Sequence, residues 1–110
     1  RLVTIYDELK QIILENKPQV MVVEQLFFAR NVTTAMTVSQ ARGVVLLLGE
    51  KMGLTLAEFT PLQIKQSMTG YGKADKKQVQ EMVRVVLNLK EVPQPDDCAD
   101  ALAAALTYQA

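Results

Sequence analysis

The chain has 110 residues, 12 basic and 12 acidic side chains, and a hydrophobic share of 49%. This composition predicts one soluble globular domain that spans residues 1–110, and it excludes a disordered or fibrous protein. The single cysteine excludes a disulfide framework, and the lack of histidine excludes Ser-His-Asp or Cys-His catalysis and an ordinary zinc site.

The uninterrupted apolar runs, among them residues 44–48, are all far shorter than the roughly 20 residues that cross a bilayer. We therefore expect no membrane association and a reducing, cytoplasmic location. The chain begins at Arg1 without an initiator methionine, already inside a segment with helical spacing of apolar residues. We expect this first helix to be cut at its front and the natural protein to begin earlier.

The first helix is predicted to end at Lys17-Pro18. Residues 20–23 are apolar and rich in β-branched side chains, which is typical of a parallel strand that is buried on both faces. The next helix is predicted from Thr33 or Thr34 to Met52, where Gly53 stops it. Because residues 44–48 are apolar around the whole helix, we expect a second subunit to cover one side of it.

Residues 55–59 are predicted to form a second, edge-type strand. Capping boxes, Thr60 with Gln63 and Asp75 with Gln78, open the next two helices. The second of these is expected to pack through an apolar stripe made of Val79, Met82, Val83, Val86 and Leu87. A last helix opens at Asp96 or Asp97, and we expect it to pack through Cys98, Ala101, Leu102, Ala105 and Leu106.

Charge is balanced overall but not locally. Residues 60–90 carry six basic and two acidic side chains, whereas residues 91–110 carry four acidic and none that is basic. A basic segment beside an acidic cluster suits a site that binds a polyanion and acts on it with metal ions. The alternative is that these charges only solvate helix faces.

Carboxylates stand at two positions where a metal could bind. Glu24 follows a parallel strand, at the sheet edge where α/β proteins bind ligands, although it could merely mark the exit into solvent. Asp97 and Asp100 lie three apart and project from one helix face, with Asp96 expected to point elsewhere. These acids could also serve only the helix N-terminus. Oxygen ligands of this kind favour Mg²⁺ or Mn²⁺.

Aromatic and basic residues could contact nucleic acid. Phe27 and Phe28 fall in a predicted loop and could stack on unpaired bases, although a core role is equally open for one of them. Arg30 lies in the same loop and is assigned to DNA binding with them. The lysines that could pair with phosphates are Lys65, Lys73, Lys76 and Lys77.

Five segments in order carry a family resemblance. They are residues 22–27 (VVEQLF), 39–43 (SQARG), 63–66 (QIKQ), 70–80 (GYGKADKKQVQ) and 97–103 (DCADALA). Together they resemble the bacterial RuvC-type Holliday-junction resolvases. The resemblance implies an α/β, RNase H-like fold with a central mixed sheet flanked by helices. It also implies a homodimer that cuts four-way junction DNA with paired nicks during homologous recombination and repair.

The resemblance further implies two Mg²⁺ ions per active site, with Mn²⁺ as a substitute, and a branch-migration motor complex as partner. Glu24, Asp97 and Asp100 match the family's catalytic, metal-binding carboxylates. Phe27 matches the aromatic residue that inserts among bases at the crossover. The DNA-contacting lysines of the family correspond to Lys65 and Lys76, and its subunit-pairing helix to the one containing Arg42.

The family's first strand, with its Gly-Ile-Asp-Pro-Gly motif, has no counterpart in these residues. We therefore expect a chain that corresponds to the C-terminal two-thirds of a resolvase and is inactive by itself. The segment before Asp97 is one residue longer than in some relatives, which leaves Asp96 and Asp97 both open as the ligand. Two alternatives are a non-catalytic DNA-binding or dimerisation module of the same fold and an RNase H-like nuclease with another substrate.

Overall fold

The computed structural model describes residues 1–25 and 32–109. Its helices and strands follow one another in the order α1-β1-α2-β2-α3-α4-α5. Their bounds are α1 Leu2–Asn16, β1 Val20–Glu24, α2 Val32–Lys51, β2 Thr55–Phe59, α3 Pro61–Thr69, α4 Lys76–Val86 and α5 Asp96–Gln109. The predicted elements are confirmed to within a residue or two at their ends. None of the helices in this described part is long and apolar enough to cross a membrane.

The two strands pair in parallel. The amide of Thr55 donates to the carbonyl of Gln19 at 3.0 Å, and at the other end the amide of Gln25 donates to the carbonyl of Phe59 at 2.7 Å. Glu24 and Phe59 therefore finish at the same edge of the sheet. The prediction that β1 is fully buried is wrong, because β1 is half-buried along its length and β2 is its one neighbour within residues 1–25 and 32–109.

The chain divides into two compact units. The first contains α1, α2 and the opening residues of both strands. In it α1 packs on α2, and Ile13 and Leu48 are buried. A Cβ atom on Gly49 would lie 2.7 Å from the side chains of Leu56 and Met21. A larger residue at this position would therefore force the ends of these two flexible side chains to move.

The second unit contains α3, α4, α5 and the closing residues of the strands. Both predicted capping boxes are present, so Thr60 fixes the start of α3 and Asp75 the start of α4. The three helices pack on one another. Their shared core consists of Ile64, Met68, Val83, Ala103 and Ala104.

The packing face predicted for α5 is correct only in part. Leu102 and Leu106 are half-buried and pack against the core, as predicted, whereas Cys98, Ala101 and Ala105 are exposed. The buried residues of α5 are Ala99, Ala103, Ala104 and Thr107. Nearly every position from 98 to 106 is apolar, so the sequence contains little contrast from which to choose a face.

The apolar stripe predicted for α4 is correct only in its first half. Val83 is fully buried, and Val79 and Met82 pack against the same core. Val86 and Leu87 are exposed because α4 ends at Val86, with Leu87 as its C-cap, beyond the part of the helix that faces the core.

A pair of matched substitutions tests this assignment of the α4 face. Val83, 0% exposed, and Val86, 53% exposed, lie on the same helix. Val83→Ala should lower the free energy of unfolding by about 2 kcal/mol, through lost burial and a residual cavity. Val86→Ala should change it by less than about 0.5 kcal/mol. Urea denaturation of both variants measures the difference, and equal losses would contradict the assignment.

Candidate active site

A cavity of about 250 Å³ opens beside Glu24, the last residue of β1. All of its walls belong to the second unit. Apolar side chains from three helices form part of the wall, and two acidic and two basic side chains complete it. The lining residues are Glu24, Pro61, Ile64, Lys65, Lys76, Val79, Asp100 and Ala103.

Each charged side chain reaches the cavity from a different element. Glu24 is held at the end of β1, because the next residue pairs with β2 through its amide. Lys65 comes from α3, and Lys76 is the first residue of α4, directly after the capping residue Asp75. Asp100 lies four residues into α5, one turn before the buried Ala103. The packing of the three helices therefore brings these groups together.

The surroundings of Glu24 raise the pKa of its carboxyl group. Burial raises the pKa of the Glu24 carboxyl above its ordinary value, and the negative charge of Asp100 raises that pKa further. Lys76 and Lys65 act in the opposite direction but do not reverse the shift. Two carboxylates and two lysines thus share one partly buried cavity, and the net effect at Glu24 is a raised pKa.

Lys76 bridges two acids of α5. Its Nζ atom lies 3.5 Å from Oδ2 of Asp100 and 3.6 Å from Oδ2 of Asp96. Asp100 is the main cause of a raised pKa at Lys76. Asp96 also accepts a hydrogen bond on its other oxygen, Oδ1, from Nε2 of Gln80 at 3.3 Å. The prediction that Asp96 points away from Asp100 is therefore wrong.

Three predicted site residues stand elsewhere in the structure. Asp97 is exposed in the first turn of α5 and does not line the cavity. Lys73 is exposed in the loop before α4, and Lys77 borders a neighbouring groove.

Phe27, Phe28 and Arg30 lie outside the described residues. Within residues 1–25 and 32–109, no three acidic or cysteine side chains are grouped closely enough to hold a metal ion.

Sequence reasoning missed the roles of Asp96 and Gln80. The missed signal is a repeated spacing of four: Lys76 and Gln80 share one face of α4, and Asp96 and Asp100 share one face of α5. Opposite charges at matching positions of two helices could have suggested contact. The sequence does not reveal that these two faces meet.

Comparisons with known proteins agree on one family. The family model described as "Crossover junction endodeoxyribonuclease RuvC" matches residues 1–108. The chain is 55% identical over 108 residues to the protein of that name from Desulfitobacterium hafniense, covering 98% of this chain and 66% of the relative. It is 57% identical over 106 residues to the one from Heliobacterium modesticaldum, covering 96% of this chain and 65% of the relative.

Two solved structures are also similar. The chain matches a Thermus thermophilus RuvC structure with a TM-score of 0.90 and 37% identity, over 98% of this chain and 65% of that one. It also matches a T. thermophilus RuvC in complex with Holliday junction substrate, with a TM-score of 0.93 and 37% identity. That match covers 98% of this chain and 66% of the other chain. The fold is thus RNase H-like, as predicted. The chain spans 65–66% of the length of these relatives.

The raised pKa of Glu24 predicts how stability depends on pH. The folded carboxyl binds its proton more tightly than the unfolded one, so its contribution to stability falls as pH rises from below the unfolded-state pKa through the folded-state pKa. Glu24→Gln removes this loss. The free energy of unfolding of the variant, relative to that of the wild type, should therefore be higher at neutral pH than below pH 4.5, which is the ordinary pKa of the group.

Urea denaturation at both pH values provides the measurement. Glu91→Gln, which removes one exposed negative charge from the same unit, serves as the control for net charge. A stability difference between Glu24→Gln and wild type that does not change with pH would contradict the prediction.

Proposed function

The chain belongs to the RuvC family of crossover junction endodeoxyribonucleases, and from this premise we propose that the complete protein resolves four-way (Holliday) DNA junctions. It would do so by paired, metal-dependent nicks during recombination and repair. The observation that carries the proposal is the cavity in which Glu24 and Asp100 meet Lys65 and Lys76 at the carboxyl end of a parallel strand.

The side chains of the cavity suit a divalent cation. Carboxylate oxygens are hard ligands that favour Mg²⁺ or Mn²⁺. The pKa of Glu24 is raised by burial and, second, by the charge of Asp100, and a bound cation would counter both effects by favouring the ionised carboxylate. Glu24 and Asp100 would hold the cation, with Asp97 proposed as a further ligand from the family motif. When bound, one or two Mg²⁺ ions supply charge neutralisation at the phosphate and an activated water.

The lysines supply the means to hold a DNA backbone. Lys65 and Lys76 border the two carboxylates, so a phosphate could contact an ammonium group while its phosphorus lies near the acids. Lys73 and Lys77 extend this positive charge along the surface. Phe27 and Arg30 complete the proposed DNA contacts on the strength of the family motif alone.

A homodimer is the proposed assembly. The described part of α2 exposes large apolar side chains, with Met36 59% and Leu47 60% accessible to solvent. Val3 of α1 is exposed as well. Burial of such residues between two copies would stabilise a dimer by the hydrophobic effect. A cytoplasmic location and a branch-migration motor as partner are part of the same proposal, supported by family membership.

A non-catalytic junction-binding or dimerisation module is the second candidate. It is favoured by one finding, namely that the described residues contain no group of three potential metal ligands. Two-metal hydrolysis needs enough ligands to hold two ions about 3.5–4 Å apart. The two candidates differ in whether the complete protein cuts DNA at all.

Neutralising either cavity carboxylate should abolish cleavage. In the complete protein, Glu24→Gln and Asp100→Asn should each lower the rate of junction cleavage by about 100-fold or more, because the developing charge on the phosphate loses a metal ligand. Binding of the uncut junction should persist. Single-turnover cleavage of a labelled mobile four-way junction with Mg²⁺ gives the rate.

Glu91→Gln is the matched control, since Glu91 is an exposed acid of the same unit outside the cavity. Cleavage by both cavity variants at the control rate would exclude the proposed site. A complete protein that binds the junction but never cuts it would favour the non-catalytic module. Equal cutting of duplex or RNA–DNA hybrid would instead indicate an RNase H-like nuclease with another substrate.

The 110 residues assayed alone are expected to bind junction DNA without cutting it. The basic side chains around the cavity should give affinity that falls steeply with salt, whereas two grouped carboxylates are too few for two-metal hydrolysis. Electrophoretic mobility shift and cleavage assays on the same preparation test both halves of this expectation. Metal-dependent nicking at the rate of the complete protein would contradict it.

A further inference from the structure

Asp96 has a set of contacts that the family motif does not explain. Its Oδ2 atom faces the ammonium group of Lys76 at 3.6 Å, and its Oδ1 atom accepts from Gln80 at 3.3 Å. Lys76 and Gln80 lie one turn apart on α4. Both carboxylate oxygens of Asp96 are therefore used to contact the neighbouring helix.

A simpler role for Asp96 would be to stabilise its own helix. An acidic residue in the first turn interacts favourably with the helix dipole, and Asp96 and Asp97 both occupy that turn of α5. The dipole, however, does not require contacts on another helix. Asp97 has the same advantage, yet no ion pair to a lysine is found for it among the described residues.

Lys76 is shared between Asp96 and Asp100. Asp100 lies in the cavity, where a divalent cation is proposed to bind, and Asp96 lies outside its lining. If a cation engages Asp100, Lys76 loses that partner by competition and by charge repulsion. Asp96 would then be the remaining acid that keeps the ammonium group beside the cavity.

We infer that Asp96 is a positioning residue, which holds the Lys76 ammonium group at the rim of the cavity and so presents it to a DNA phosphate after Asp100 is taken by a divalent cation. Gln80 orients Asp96 for this role. The inference rests on the proposed function, since it assumes that the cavity binds junction DNA and a cation.

The direction in which DNA affinity changes when Asp96 is removed distinguishes a positioning role from simple charge repulsion. Asp96 is negative and stands near the path of a polyanion, so its removal should strengthen DNA binding if it acted only by repulsion. If it positions Lys76, its removal should weaken binding. The weakening should also disappear when Lys76 is absent, because Asp96 then has nothing to hold.

The experiment measures junction affinity of the complete protein by fluorescence anisotropy in Ca²⁺, with gels to verify that the DNA stays uncut. Asp96→Asn should weaken binding about two- to fivefold, the range expected for one exposed charged contact. Asp96→Glu should restore most of the affinity, and Gln80→Ala should weaken it to a smaller extent. Glu91→Gln, the control for loss of one acid, should bind as tightly as wild type or more tightly.

The double variant completes the cycle. In a Lys76→Gln background, Asp96→Asn should leave the affinity unchanged or improve it. Asp96→Asn binding as tightly as wild type would overturn the inference, and so would an equal loss with and without Lys76. Failure of the wild type to bind the junction would instead remove the proposed function, and the inference with it.

A second readout needs no DNA. In ¹⁵N-lysine-labelled protein with Ca²⁺, the Nζ chemical shift of Lys76, assigned by loss of the signal in Lys76→Gln, should change in Asp96→Asn and stay close to the wild-type value in Asp96→Glu. An unchanged Lys76 shift in Asp96→Asn would overturn the inference, and thermal unfolding of each variant verifies that it is folded.

Discussion

The packing of α5 against α3 and α4 is the constraint on which the site depends. Ala103 and Ala104 offer little side-chain volume, so the backbone of α5 can lie close to Val83, Ile64 and Met68. This packing fixes the rotation of α5 about its axis. Asp100 then faces Glu24 and the two lysines, and a different rotation would carry it into solvent.

Charge arrangement follows from that packing. Two acids and two lysines converge beside the end of a parallel strand, and burial together with the charge of Asp100 raises the pKa of Glu24 despite the two lysines. A cavity of this kind is poised to accept both a cation and an anion: the carboxylates attract the first and the ammonium groups the second. A phosphodiester with its metal ion meets both requirements at once, which is why family membership and geometry favour the same chemistry.

Lys76 contacts both Asp96 and Asp100, and this shared contact connects the proposed binding of a cation with the proposed binding of a phosphate. An ammonium group that lies between two carboxylates can stay paired with one of them when a cation binds the other. The contact is exposed, so it is weak and easily rearranged in the presence of salt, metal or DNA. Weak contacts suit a group that must change partners, whereas the buried apolar core of the unit keeps the helices in place.

The local structure and the family could be predicted from the order of the amino acids. Both capping boxes, the glycine and proline stops, and the strand predicted over residues 20–23 depend on neighbouring residues, and the structure confirmed them. The ordered motifs identified the family for the same reason. The buried face of α5 and the acids that contact Lys76 became known from the three-dimensional structure alone. Those choices depend on residues distant in the chain, and an almost uniformly apolar, alanine-rich helix carries no local contrast to indicate its rotation.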